Sequence, residues 1–119
     1  MDCILTDKTN IMDFENVKAQ MRKGVLEFCI LSILSKGDAY ATDLLNKLKE
    51  SQLIVVEGTL YPLLTRHKNA GLLSYRWEES TQGPPRKYYA LTDKGREVLN
   101  ELEASWKELI ESVDSIIKK

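Results

Sequence analysis

Between Val56 and Leu91 the chain reads VEGTLYPLLTRHKNAGLLSYRWEESTQGPPRKYYAL, and its hydrophobic period changes along the way. Leu60, Leu63 and Leu64 recur as one side of a helix of about 57–70. Asn69, Ala70 and Gly71 stop it. Leu73, Tyr75 and Trp77 then alternate with Ser74, Arg76 and Glu78, and Lys87, Tyr89 and Leu91 alternate with Arg86, Tyr88 and Ala90. A period of two on both sides of a turn is a β-hairpin, here spanning 72–91. Its loop holds Gln82, Gly83, Pro84 and Pro85, and the two prolines stiffen it and keep its edge from pairing. Pro62 removes one helical N–H and disfavours the helical conformation at Tyr61; a place near the first turn would make it tolerable.

The polar residues of this stretch give it a use. Thr59, Tyr61, Thr65, Arg66 and Lys68 are left for a ligand when the leucines face inward, and Arg86, Lys87 and Tyr88 follow directly on the rigid turn. A helix that can enter a groove, beside a basic hairpin that can reach a backbone, is how a winged helix reads double-stranded DNA. Charge is distributed accordingly. The net charge is −1, yet residues 58–91 hold five Lys/Arg against two Asp/Glu, while the segments before and after are each acidic by two charges. A basic patch on an acidic body suits a reader whose specificity does not rest on bulk charge.

The remaining segments read as support. Residues 1–12 show no clear period and are expected to form an irregular arm. Asp13 can cap a helix from about Phe14 to Ser35, with Val17, Met21, Val25 and Phe28 on one face and a nearly continuous apolar run, VLEFCILSIL, after it. Gly37 ends that helix, and Asp38 can cap a second one from about Tyr40 to Ser51, with Leu44, Leu45 and Leu48 inward. LIVV at 53–56 reads as an extended connector or small strand. Thr92 is the expected N-cap of the last helix. In it Leu99, Leu102, Trp106, Leu109, Val113 and Ile116 are spaced 3, 4, 3, 4 and 3, the heptad stripe of a helix that packs along another. A domain of this size cannot cover so distal a stripe alone, so a second copy is the expected cover; the other possibility is the first helix of the same chain. The domain reading is therefore an arm at 1–12, a DNA-binding domain at 13–91 and a dimerisation helix at 92–119.

With these residues in view, the chain resembles the PadR family of bacterial transcriptional regulators from about Met21 onward. MRKGVLEFCILSIL, the tyrosine of DAYATDLL, GTLYPLLTR, AGLL and GPPRKYYALTDKG carry the resemblance. A GTLYPLL-like helix followed at this separation by a GPPRKYYALT-like hairpin is specific, and the single C-terminal helix is similar to the short branch. The resemblance implies a mainly α, α+β winged helix-turn-helix, dimerised through its first and last helices, repressing promoters until an effector intervenes. It places Thr59, Tyr61 and Arg66 on the recognition helix and Arg86, Lys87 and Tyr88 on the wing. Some short members sense flat apolar compounds with a tryptophan on the last helix, and Trp106 stands at the matching place, so a small planar aromatic effector is the implied ligand. Ala41 stands where glycine is usual, and His67 where an aliphatic residue is usual.

Other function classes find little support. One histidine, no glycine-rich phosphate loop, no paired metal ligands and no nucleophile elbow leave no basis for an enzyme, a metal or a cofactor. Cys3 and Cys29 lack metal-type spacing, and Cys29 reads as a small buried hydrophobe. No apolar run approaches the ~20 residues of a membrane span, and the start does not read as a secretory signal, so a cytoplasmic location is expected. The competing class is a dimeric winged-helix interaction module without DNA binding. Arg66, Arg86 and Lys87 discriminate, because such a module need not keep a basic wing.

Overall fold

The computed structural model describes residues 3–118. Its elements run α1 (Cys3–Leu34), β1 (Ala39–Tyr40), α2 (Ala41–Glu50), α3 (Glu57–Asn69), β2 (Leu73–Glu78), β3 (Arg86–Leu91) and α4 (Asp93–Ile117). The strands form one antiparallel sheet in the order β1-β3-β2.

α1 begins at Cys3 rather than near Phe14, so the irregular arm expected over 1–12 is helical from residue 3 onward, and residues 1–2 lie outside the described residues. Asp13 is interior to the helix. No proline interrupts 3–34, and a cap-forming residue inside such a run does not by itself end it. Asp38 does not cap α2 either. Ala39 and Tyr40 are drawn into the sheet opposite Tyr89 and Tyr88, which moves the cap to Tyr40. The side chain of Asp43 accepts from the Tyr40 N–H at 3.0 Å, and Asp38 instead pairs with Arg76 at 3.3 Å. The segment 53–56 has no regular structure.

One core holds these elements together. Leu26, Ile30, Leu31 and Leu34 of α1 meet Leu44 and Leu48 of α2, Leu60, Leu63 and Leu64 of α3, Leu73 and Tyr89 of the sheet, and Leu99 of α4. Each fully buried leucine of this kind stabilises by about 1.5–3 kcal/mol relative to an exposed one. Pro62 lies in the second turn of α3, further in than its place near the first turn suggested. The residue four before it is Gly58, exposed to solvent, so the carbonyl it deprives of a partner can be met by water.

The end of α3 is clasped to the start of α4. Thr92 caps α4 by accepting from the Gly95 N–H at 2.9 Å. Its hydroxyl lies 2.6 Å from the Gly71 carbonyl and 3.0 Å from that of Leu72, its own N–H donates to Leu72 at 3.0 Å, and Lys94 Nζ donates to Ala70 at 3.1 Å. Gly95 permits the approach, because a Cβ there would stand 2.2 Å from the Leu72 carbonyl oxygen. Gly71 ends α3 with a positive φ of 81°, the left-handed conformation that glycine adopts freely.

From this core α1 and α4 project. The molecule measures 59 × 33 × 26 Å, and its radius of gyration, 17.8 Å, exceeds the ~13.5 Å of a compact chain this long. The heptad stripe divides at the same place. Leu99 is 7% exposed and so is covered by the molecule's own core, while Leu102 is half-buried, packed on that core at the edge of the α1–α4 groove. Periodicity identified the packing face but not which neighbour would cover it. Beyond them Trp106, Leu109, Ile110, Val113, Ile116 and Ile117 are exposed.

Candidate nucleic-acid interface

α3 and the hairpin β2–β3 form the two walls of a cleft, and the N-terminus of α2 forms its third side. Tyr61 and Thr65 face it from α3, Arg86, Lys87 and Trp77 from the wing, Tyr40 from the cap of α2 and Thr42 from its first turn. The hairpin register puts Trp77 opposite Lys87 and Glu78 opposite Arg86, at the end nearest the 79–85 loop.

Every cation of the wing is braced on an aromatic ring. The Arg86 guanidinium lies 3.9 Å from the centre of the Tyr40 ring, Tyr40 packs on Tyr88 at 4.7 Å between ring centres, and Arg76 lies 4.6 Å from Tyr88. The result is a row of contacts, Arg86, Tyr40, Tyr88, Arg76, with the two rings tilted at 55°, that ties the wing to the cap of α2. Lys87 sits 4.6 Å from the Tyr75 ring and 5.6 Å from that of Trp77. Cation–π contacts of this kind contribute about 0.5–1 kcal/mol each at exposed sites, which fixes direction more than it adds stability. Arg76 is further held by Glu78 at 2.7 Å and Asp38 at 3.3 Å, and these hydrogen bonds raise its pKa above the ordinary value. Arg86 reaches Thr42 Oγ1 at 3.5 Å and has no carboxylate partner among the described residues. Burial raises the Tyr89 phenol above its usual pKa, with Tyr61 and Tyr75 adding to the effect, so it stays a protonated donor in the floor of the cleft.

The residues singled out in the sequence therefore fall into four groups. Tyr61, Thr65, Arg86 and Lys87 meet at the cleft. Lys68 lies on the wing side of α3, 5.8 Å from the Tyr75 ring. Thr59 and Arg66 lie on the other flank of α3, in a groove shared with Arg22 and Lys23 of α1, where Arg66 forms an ion pair with Glu27. Tyr88 belongs to the row of contacts between Arg86 and Arg76. Tyr40, Thr42 and Trp77 were not foreseen as site residues. Trp77 could have been found from the hairpin register, which places it opposite Lys87; Tyr40 and Thr42 come to the cleft only through tertiary packing.

His67 is 6% exposed and its Nε2 finds no hydrogen-bond partner among the described residues. Burial lowers its pKa below 6.5, with the neighbouring charge of Arg66 acting in the same direction. It packs on the inner side of α3 with Leu60, Leu63 and Leu64.

A second groove lies between α1 and α4, where Met21, Val25 and Phe28 face Leu102, Trp106 and Leu109. Trp106 is tilted at 45° to Phe28 with 6.2 Å between ring centres. Among the described residues no helix is long and apolar enough to cross a membrane, and no cluster of His, Cys, Asp and Glu is arranged to hold a metal ion.

Solved structures of known proteins are similar to this fold. A PadR-like transcription factor of Bacteroides fragilis is 70% identical, with 85% of this chain and 98% of that one covered and a TM-score of 0.73. A PadR-like transcriptional regulator of Bacillus cereus is 42% identical over 84% of this chain and 98% of its own, with a TM-score of 0.74. A PadR family regulator of Eggerthella lenta is 34% identical over 91% and 98%, with a TM-score of 0.79. The mostly helical architecture with a small antiparallel sheet is thus the winged helix of these regulators. The model of the transcriptional regulator PadR-like family matches residues 30–101, from the end of α1 through the wing into α4, and the chain belongs to that family of transcriptional regulators, which are not enzymes.

Proposed function

We propose that this chain is a cytoplasmic repressor that binds operator DNA as a homodimer, through α3 and the wing, and that a small planar aromatic compound releases it. The cleft carries the reading of DNA. Tyr61 and Thr65 on one wall and Arg86 and Lys87 on the other line a channel with the N-terminus of α2 at its side. A phosphate backbone strand fits there when α3 enters the major groove and the wing reaches the neighbouring groove. Arg86 and Lys87 supply positioning contacts, since phosphate contacts fix register without reporting sequence. Tyr61 and Thr65 are then the nearest candidates for contact with bases or sugars.

Two bare apolar surfaces support the homodimer. On α1 Met21 is 71% exposed, with Phe14 and Val17 beside it, and on α4 Ile116 is 72% exposed at the end of the row from Trp106. A second copy related by a two-fold axis covers both, its last helix lying on the first helix of its neighbour. Trp106 lines the α1–α4 groove at the margin of that surface, where a flat ring can stack on the indole. A compound bound there changes DNA affinity only by its preference for one relative placement of the two domains.

Selection of bound duplexes from a random DNA pool tests the main reading. The expected product is a two-fold symmetric sequence with half-site centres about one helical turn, ~34 Å, apart. A pool that stays random after repeated rounds would leave an interaction module as the better description. Titration with planar dyes tests the effector. Saturable quenching of tryptophan emission that disappears in Trp106→Phe, with Trp77 retained, is expected; equal quenching in that variant removes Trp106 from the effector site.

A further inference from the structure

We infer that the recognition helix reads its half-site chiefly through the methyl groups of thymines in the major groove. This rests on the DNA-binding reading above and goes beyond it by naming which base feature is recognised.

The inward stripe of α3 is Leu60, Leu63, Leu64 and His67. At the helical spacing of 3.6 residues per turn, the positions opposite that stripe are Gly58, Pro62, Thr65 and Asn69, and none carries a charge. Base edges are distinguished by different side chains. Guanine is read by Arg or Lys, adenine by Asn or Gln, cytosine by Asp or Glu, and thymine by apolar contact with its C5 methyl group. The one arginine of α3, Arg66, is engaged by Glu27 on the flank of the helix. Lys68 and Asn69 stand in the last turn, whereas the N-terminal residues of a recognition helix are those that meet base edges.

What α3 offers on and beside that face is the Tyr61 and Pro62 rings in its first two turns and the Thr65 methyl in the next, and just before the helix stand Ile54 and Val56. Those two side chains are 69% and 67% exposed and share a groove with Gly58, Pro62 and Arg66. These two β-branched side chains stand bare beside the basic flank formed by Arg22, Lys23 and Arg66. Gly58 adds an independent observation. Its φ is not positive, and a Cβ built there would meet nothing within 4 Å. Neither backbone conformation nor packing within the chain calls for glycine at this exposed helical position. Close approach of an outside surface does, and the floor of the major groove is that surface when α3 is seated.

The test uses the duplex selected by the whole protein, with each thymine of the half-site replaced in turn by uracil. Uracil keeps every hydrogen-bonding group of thymine and lacks only the methyl. At one or more positions affinity is expected to fall about fourfold, the change that burying one methyl group carries. In Pro62→Ala or Val56→Ala the penalty at the matching position is expected to shrink. Affinity within a factor of about two of the parent duplex at every position, well below that fourfold change, overturns the inference and leaves DNA binding intact. The same result would follow if Ile54 and Val56 met a second copy of the chain instead. A pool from which no duplex is enriched takes down the DNA-binding reading itself, so the two failures are told apart.

Discussion

The wing and the distal half of α4 both project from the core, and they are finished in opposite ways. Each basic residue of the wing lies on an aromatic ring of the same chain, and the hairpin is tied to α2 through Tyr88 and Tyr40. From Trp106 onward α4 presents a row of apolar side chains, mostly bare to solvent. A surface braced by its own neighbours is preorganised for a ligand that supplies only the opposite charge. A surface that is apolar and bare is completed by something from outside, and the energy of completion is hydrophobic. The salt dependence of one region and the concentration dependence of the other should therefore separate cleanly.

Leu109→Lys is the severest way to break that contrast. In the homodimer it puts an unpaired charge into the covered row, at a cost of several kcal/mol. Analytical ultracentrifugation should show the mass of one chain, and affinity for a two-half-site duplex should fall with it. A folded dimer of unchanged mass would mean that the row is covered some other way. Gly95→Ala comes next, because its Cβ must displace the Leu72 carbonyl. Overpacking of this kind costs about 1–3 kcal/mol, visible as a lower midpoint in urea with an unchanged slope.

Arg86→Ala sharpens the other side of the comparison. Removing one phosphate contact should weaken binding to all duplexes alike and reduce the slope of log affinity against log salt by about one unit. A slope that does not move would take Arg86 out of the interface. The smallest effect concerns His67. Its pKa is lowered on folding, so the unfolded chain takes up the proton more readily and stability falls as pH drops through the ordinary value of 6.5. His67→Leu should flatten the loss of thermal stability between pH 7 and pH 5 while leaving the wing untouched; an equally steep loss would mean that other groups carry it.

Much of this was legible in the sequence because it is local. Thr92 caps α4, the two runs of period two pair as β2 and β3, and Leu60, Leu63 and Leu64 are buried as their spacing required. What escaped depends on contacts between distant segments. β1 is two residues long and exists only because β3 lies beside it. Asp38 has the chemistry of a cap but is claimed by Arg76, 38 positions away. Arg66 looked like a free cation until α1 brought Glu27 to it. The heptad stripe named the face of α4 that must be covered, and only the path of α1 decided that Leu99 was covered at home and Leu102 half-buried.

The clasp between Gly71–Leu72 and Thr92–Gly95 has a mechanical consequence. α4 has 25 residues, a rod of ~37 Å at 1.5 Å per residue, and its first turn is hydrogen-bonded to the tail of α3. A rod of that length trades distance for angle. Moving its far tip sideways by ~2 Å turns the clasp by only ~3°. Any such turn reaches the end of α3 through the hydrogen bonds of Thr92 and Lys94, and Leu99 and Leu102, packed against the core, keep it to small angles.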